Sequence, residues 1–299
     1  MKQFELKVVD DAILKGNCWE IDNPKACIVI FSGMEECVYR YDEFASFLND
    51  NGYSVYGLDV YGQGDNIKDD LSNAGIWPNE GFAKQVIANN MLVEKLQKEG
   101  KKVFIFAHSM GSFMCQDYIQ RFSGSVEKVV LCGSGAKVDI APLGLMLAKM
   151  ICTKKKANQK AKFLNSLMFG NFNNKIKNPK TPFDWLSYNE ANVEKYIADP
   201  KCGYGPRNSF CYEFLKGIAR CYNKNSLKKI NKEQQIFLIT GDMDPVTGYT
   251  KFTAKLQRMY AKLGLKNVSA KIYPHMRHEI LNEDNKQEVF KDVLEYFNA

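Results

Sequence analysis

The sequence predicts an α/β fold: an eight-stranded, mostly parallel sheet flanked by helices, with a helical cap inserted into it. Three observations predict it. Short β-rich runs alternate with longer helical patterns, the central runs are apolar without a break, and the alternation lapses once, over residues 136–206, before it resumes.

The strand candidates are Phe4–Val9, Cys18–Ile21, Ala26–Ser32, Ser54–Leu58, Val103–Ala107, Val126–Cys132, Ile236–Thr240 and Val268–Tyr273. Unbroken apolar runs such as Ala26–Ser32 suit strands covered on both faces, because neither side is left to water. The first two candidates have no helix between them, which predicts an antiparallel hairpin leading into the parallel part. Helical periodicity marks Asn79–Lys98, where Phe82, Val86, Val93 and Leu96 share one face. Another helix is expected directly after Ser109, and a last one over Lys286–Phe297. Between Cys132 and Ile236 the text turns to helical patches separated by Asn-, Lys- and Pro-rich loops. Because strands return at Ile236, an insertion explains this better than tandem domains. The expected division is a core of residues 1–135 and 207–299 with a cap of 136–206.

A chain of 299 residues is long enough for one such core with an insertion. Its 45% hydrophobic and 25% charged content excludes a disordered chain. The net charge of +7 comes without a basic stripe interleaved with aromatics, which argues against a nucleic-acid partner. Nine cysteines, an odd number without any C-x-x-C, lie partly inside apolar runs, as Cys27 does; reduced and buried thiols are expected rather than a disulfide framework. With three histidines at no paired ligand spacing, neither a metal site nor a cofactor is expected. The segment Met1–Lys7 has no apolar signal region, and no uncharged apolar stretch approaches membrane-spanning length, so a soluble, cytoplasmic protein is expected.

The chemistry concentrates where the strand Val103–Ala107 runs into His108-Ser109-Met110-Gly111 and then a helical pattern. This matches the nucleophile elbow G-x-S-x-G, with Ala107 in place of the first glycine. The turn is sharp, so small residues must stand two before and two after the serine. It lifts the hydroxyl to the sheet edge and aims a helix N-terminus at a developing oxyanion, for which the Met110 N–H is one donor. Ser134 also follows a strand, but glycines at its immediate neighbours make it the weaker candidate.

A serine hydroxyl needs a base. Carboxylates follow the strand Ile236–Thr240, at Asp242 and Asp244. Histidines follow Val268–Tyr273, at His275 and His278. The order serine, acid, histidine on successive strand ends is the order this elbow requires. Spacing alone does not choose within either pair.

The segments Ala107–Ser112, Gly241–Val246, Tyr273–Glu283 and, inside the insertion, Trp185–Tyr204 resemble the lysophospholipase and monoacylglycerol-lipase branch of the α/β hydrolases, grouped with the serine aminopeptidases. With Phe31–Phe47 the resemblance extends over nearly the whole chain. It implies that Ser109, Asp244 and His278 are catalytic. It also implies that Met34, in a loop similar to the family's HGxxEH segment, supplies the second oxyanion N–H beside Met110. Two departures stand out. Ser32 and Cys37 replace the histidines of that segment, and Tyr61–Asn66 replaces the family's G-H-G-x-S loop. The G-x-G in Tyr61–Asn66 has Ile67 where a third glycine would be, so it does not support dinucleotide binding; it reads as a tight structural loop beside the site.

The expected function is hydrolysis of a carboxylic ester through an acyl-enzyme, on a monoacylglycerol, lysophospholipid or similar small-molecule or lipid ester. A second reading is an aminopeptidase in which Glu35 and Glu36 hold a substrate ammonium; a third is a non-catalytic hydrolase-fold binding protein. In the cap, the apolar run Ala141–Ala148 is followed by Lys149, Lys154, Lys155, Lys156, Lys160 and Lys162 with no acidic residue among them. Apolar surface beside clustered cations is how a protein touches an anionic membrane peripherally.

Overall fold

The computed structural model describes residues 1–136 and 141–299. Strands β1 (Lys2–Lys7), β2 (Ile13–Trp19), β3 (Ala26–Phe31), β4 (Tyr53–Leu58), β5 (Val103–His108), β6 (Lys128–Cys132), β7 (Gln235–Gly241) and β8 (Val268–Tyr273) form one sheet in the order β1-β2-β4-β3-β5-β6-β7-β8. The pairs β1–β2 and β2–β4 are antiparallel and the remaining pairs parallel. Each predicted strand has its counterpart. The second needs correction: it begins at Ile13, not Cys18, and ends at Trp19. Gly16 and Asn17 look like a break in sequence, yet Gly16 pairs with Phe4 and Leu58. A Cβ there would sit 2.2 Å from the Gly57 carbonyl oxygen and 2.8 Å from the Phe4 ring, so glycine marks a close approach inside a strand.

The helices are α1 (Asp42–Asp50), α2 (Gly81–Lys98), α3 (Met110–Arg121), α4 (Ala141–Ile151), α5 (Lys162–Phe169), α6 (Glu190–Ala198), α7 (Asn208–Cys221), α8 (Lys224–Leu227), α9 (Lys251–Lys262) and α10 (Lys286–Asn298). The central strands β3 to β7 are buried on both sides because their alternate residues feed two cores, whereas the edge strands β1 and β8 stay largely exposed. Cys27, Val29, Ile105, Val129 and Leu238 pack with α2, α3, α7 and α9. Ile28, Ile30, Phe106, Val130 and Ile239 pack with α1 and α10. Among the described residues the run from β6 to β7 contributes no strand to the sheet; α4 and α5 lie against α7, which itself packs on α2 and α3. No described helix is long and apolar enough to cross a membrane.

The topology places the site. The chain leaves β3 toward β4 on one side and returns to β5 on the other, so β3 and β5 are neighbours at a point where strand order reverses. Loops at the C-terminal ends of such strands diverge and leave a crevice. The loop after β3 and the turn after β5 flank that crevice, and the loops after β7 and β8 lie along the same edge.

Candidate active site

Ser109 stands between β5 and α3 with φ 51° and ψ −120°. A serine held at positive φ is strained, and the surroundings hold it there. Its N–H donates to the Cys132 carbonyl at 2.9 Å, while its carbonyl accepts from the Ser112 N–H at 2.9 Å and the Ser112 hydroxyl at 2.6 Å. A Cβ on Gly111 would lie 2.0 Å from the Phe31 carbonyl oxygen, so only glycine fits two residues after the serine. The side chain two residues before, Ala107, is buried in the core, where its methyl group fits.

Asp244 is completely buried in the loop after β7. Its Oδ2 accepts from the Thr240 hydroxyl at 3.2 Å and lies 3.0 Å from His278 Nδ1; its Oδ1 accepts from the Val246 N–H at 2.8 Å. With Asp244 accepting at Nδ1, the proton of the neutral imidazole sits on Nδ1 and Nε2 carries the lone pair. Among the described residues Nε2 has no hydrogen-bond partner, although it is buried. The ring is gripped on its faces: His108, next to Ser109, packs at 4.7 Å between centroids and Trp185 at 5.3 Å. Gly133 closes a third side, since a Cβ there would come within 2.8 Å of His278 Cε1.

The alternatives lie elsewhere. His275 is exposed at φ 55°, and Asp242 is half-buried with its N–H on the Tyr273 carbonyl; neither shares the Asp244–His278 bond. Ser134 is buried, and its hydroxyl accepts from the Gln116 amide at 3.0 Å.

The N–H of Met110 opens α3 and that of Met34 lies in the loop after β3; neither has an acceptor among the described residues. This is how free donors of an oxyanion hole are left. The loop around Met34 is held by a residue that sequence reasoning passed over. Gln63, fully buried, donates to the Gly33 carbonyl at 3.0 Å and accepts from the Glu35 N–H at 2.8 Å, bracketing Met34 on both sides. The loop Tyr61–Asn66 therefore has a direct bracing role. A polar side chain between two glycines was the only signal of it in the sequence.

Behind the loop lies a buried ionic network. Glu36 accepts from the Gly33 N–H, from the Tyr41 hydroxyl at 2.6 Å and from Arg40 at 3.2 Å. Arg40 also donates both of its terminal nitrogens to Glu279, at 2.7 and 2.8 Å, and one to Asn192 of α6 at 3.2 Å. His108 faces Glu36 through Nδ1 and the His278 carbonyl through Nε2, each at 3.3 Å. Both contacts call for a donor. Burial opposes the charge on His108, yet its hydrogen bond to Glu36 and the charges of Glu36 and Glu279 raise its pKa. Burial likewise opposes the charge on Glu279, but Arg40, with Asn192, holds it down to about 2. Glu36 is lowered too: burial opposes, His108 and Arg40 prevail. Glu36 is thus committed to the protein, which corrects the expectation that it could hold a substrate ammonium.

Glu35 differs from its neighbour. It sits at φ 56°, buried, and burial lifts its carboxyl to about 7 against a Gly205 N–H hydrogen bond and the charge of Lys160. Its Oε1 has no hydrogen-bond partner among the described residues, and neither has the buried hydroxyl of Ser32, where the resembled family carries histidine. Farther along the loop, Cys37 meets Asp199 and Cys202 from the turn after α6, and the side-chain donor atoms of the three lie within 4.8 Å of one another.

The profile of the family described as serine aminopeptidase, S33, matches residues 22–285. Among solved structures, a thermostable carboxyl esterase from Bacillus coagulans superposes with a TM-score of 0.91 at 25% identity, covering 99% of this chain and 97% of that one. A monoglyceride lipase from Saccharomyces cerevisiae gives 0.72 at 16% identity, covering 96% and 92%. A monoacylglycerol lipase from Paleococcus ferrophilus gives 0.66 at 17%, covering 95% and 97%. At that identity the two lipases show a shared fold. Among curated protein sequences nothing matches the chain.

Proposed function

The chain belongs to the serine aminopeptidase S33 family of α/β hydrolases, and on that premise we propose that it hydrolyses carboxylic esters with Ser109 as nucleophile, His278 as general base and Asp244 as its acid. One observation carries the reading: a buried histidine bonded to a buried aspartate at 3.0 Å, its other nitrogen unpartnered among the described residues, beside a serine strained onto a helix N-terminus.

Ser109 Oγ attacks the ester carbonyl carbon as its proton passes to His278 Nε2. Asp244 stabilises the imidazolium through Nδ1–H. The carbonyl oxygen becomes an oxyanion between the Met34 and Met110 amides, neither of which has an acceptor among the described residues. The intermediate collapses, the C–O bond to the alcohol breaks, and His278 returns its proton to the leaving oxygen. Water, deprotonated by the same nitrogen, then attacks the acyl-enzyme and releases the acid. The chain's own residues supply every proton transfer. In the unliganded protein such contacts are loose and tighten with substrate, so Nε2 needs no bond to Ser109 beforehand.

The substrate proposed is a single-chain lipid ester, of monoacylglycerol or lysophospholipid type, with residues 136–206 as the cap over the acyl site. Trp185 packs on His278 and Asn192 bonds Glu279, so this segment reaches the catalytic loop. Leu143, Met146, Met150, Phe163 and Leu167 are exposed on α4 and α5. Lys149, Lys154, Lys155, Lys156, Lys160 and Lys162 are exposed beside them. That surface suits peripheral contact with an anionic membrane, where such substrates partition. The test is a panel of p-nitrophenyl esters, monoacylglycerols, lysophospholipids and aminoacyl-nitroanilides on the purified protein. Turnover of long-chain monoesters above short esters and anilides is expected; preferential cleavage of the anilides would replace the reading with a peptidase.

A further inference from the structure

Cys37, Asp199 and Cys202 take no part in the ester chemistry, yet they converge. Cys37 follows the loop that holds Met34, and Cys202 lies 165 residues further along, beyond α6. Their sulfurs are 3.9 Å apart, both side chains are buried, and Cys37 Sγ also lies 3.8 Å from the Lys201 carbonyl oxygen. Asp199 and Cys202 are set side by side by a turn in which the Cys202 N–H donates to the Asp199 carbonyl at 2.9 Å. The Asp199 carboxylate is oriented by the Lys201 N–H at 2.9 Å and by the Tyr39 hydroxyl, each oxygen keeping a lone pair.

We propose that Cys37, Asp199 and Cys202 form a site for a thiophilic divalent cation of the zinc class, which pins residues 199–202 to the loop carrying Met34. Two metal–sulfur bonds of about 2.3 Å at the tetrahedral angle place their sulfurs about 3.8 Å apart, so the thiols stand at the spacing the ion requires. A disulfide requires about 2.05 Å, nearly 2 Å shorter than the separation of these sulfurs. The pair also comes with a third donor, which a disulfide does not use. The spacing D-x-x-C is the short chelating turn of structural zinc sites with one sulfur exchanged for oxygen. Two thiolates select a soft or borderline ion and the carboxylate favours a divalent one. Binding releases two thiol protons, and the ion with two thiolates and one carboxylate carries a net charge of −1. Arg40 acts on Cys202 and Lys201 on Cys37 as nearby cations that oppose that charge only in part, since the neighbouring thiol and burial push the Cys202 thiol up. The fourth position of the tetrahedron is left to water. The parts of this set come from distant loops without histidine, so no ligand spacing in the sequence points to it.

The test uses the full chain, reduced and stripped with a chelator, then titrated with Co²⁺ and afterwards Zn²⁺. One equivalent of Co²⁺ should bind with a thiolate-to-cobalt charge-transfer band that Zn²⁺ abolishes, releasing about two protons at neutral pH. Cys37→Ser and Cys202→Ser should each lose about half of that band and weaken binding at least about 100-fold. Asp199→Asn, at a half-exposed position that keeps the fold safe, should retain the band and weaken binding about 10-fold. Far-UV circular dichroism checks folding of each variant. Absence of the band in folded wild-type protein, or an undiminished band with unchanged affinity in folded Cys37→Ser, would overturn the proposal. So would a Cys37–Cys202 disulfide as the state of the freshly isolated protein.

Discussion

The proposed base side and the proposed oxyanion side of this crevice are held by different means. His278 is oriented by one hydrogen bond to Asp244 and by three surfaces, the rings of His108 and Trp185 and the backbone of Gly133. The Met34 loop has no regular structure and turns at positive φ at Glu35. It is fixed by Gln63 on either side of Met34 and by Glu36, which Arg40 ties to Glu279 and Asn192. A group that must give and take a proton needs one nitrogen left free, so few polar contacts can hold it. A pair of amides that must stay aimed while charge develops needs rigid scaffolding, and on a loop that comes from side chains.

The contrast can be broken by mutation. On the base side, His278→Ala should lower kcat for a p-nitrophenyl ester by on the order of 10⁵–10⁶-fold, whereas His275→Ala should stay near wild type. Asp244→Asn should cost about 10⁴-fold by losing the imidazolium's partner and its tautomer, with Asp242→Asn nearly silent. Reversal within either pair reassigns the triad.

Arg40→Met should act on stability, because it leaves Glu279 as an uncompensated buried charge and Glu36 with His108 alone to offset it, costing about 3–5 kcal/mol at neutral pH by chemical denaturation. Glu279 has a folded-state pKa lowered to about 2. Its stabilisation is therefore present above the ordinary carboxylate range and lost as pH falls through that range toward about 2, so the deficit of the variant should shrink on acidification. A deficit that grows instead would deny the ion pair its role.

Gln63→Ala should lower kcat by about 10²-fold with KM and the pH profile little changed, since one amide donor loses its aim while the base is untouched. A shifted pH profile would mean that the two sides are not separable. The smallest effect has the opposite sign. Glu35 has its folded pKa raised from 4.5 to about 7. Below about 4.5 it is protonated folded or unfolded and costs nothing; as pH rises to about 7 only the unfolded state ionises freely, and stability falls. Glu35→Gln should remove that loss, a gain of at most on the order of 3 kcal/mol at pH about 8 and none at pH about 4. Equal gain at both pH values would point to packing rather than ionisation.

Much of this was legible in the sequence, for physical reasons. Strands covered on both faces must be apolar throughout, so β3, β5, β6 and β7 announce themselves. Gly111 is demanded by a backbone 2.0 Å from its missing Cβ, so the elbow is written in residue size. Asp242 and Asp244, or His275 and His278, share a loop and a chemistry; only burial separates them, and burial on a loop has no periodicity to read. Gln63, Arg40 and Asn192 are polar residues on three distant segments whose meeting is tertiary. Glu36 read as a free carboxylate for the same reason, before Arg40 and His108 were seen to claim it. Helices α1 and α9 went unplaced because each buries only three residues.

Covalent labelling tests the account most directly. The protein is treated with a fluorophosphonate, which reacts with a serine only when a base and an oxyanion hole serve it, and the modified peptide is sequenced by mass spectrometry. The account predicts one adduct per chain, on Ser109, absent in Ser109→Ala protein that retains the wild-type melting temperature. An adduct on Ser134, or undiminished labelling of folded Ser109→Ala, would contradict it.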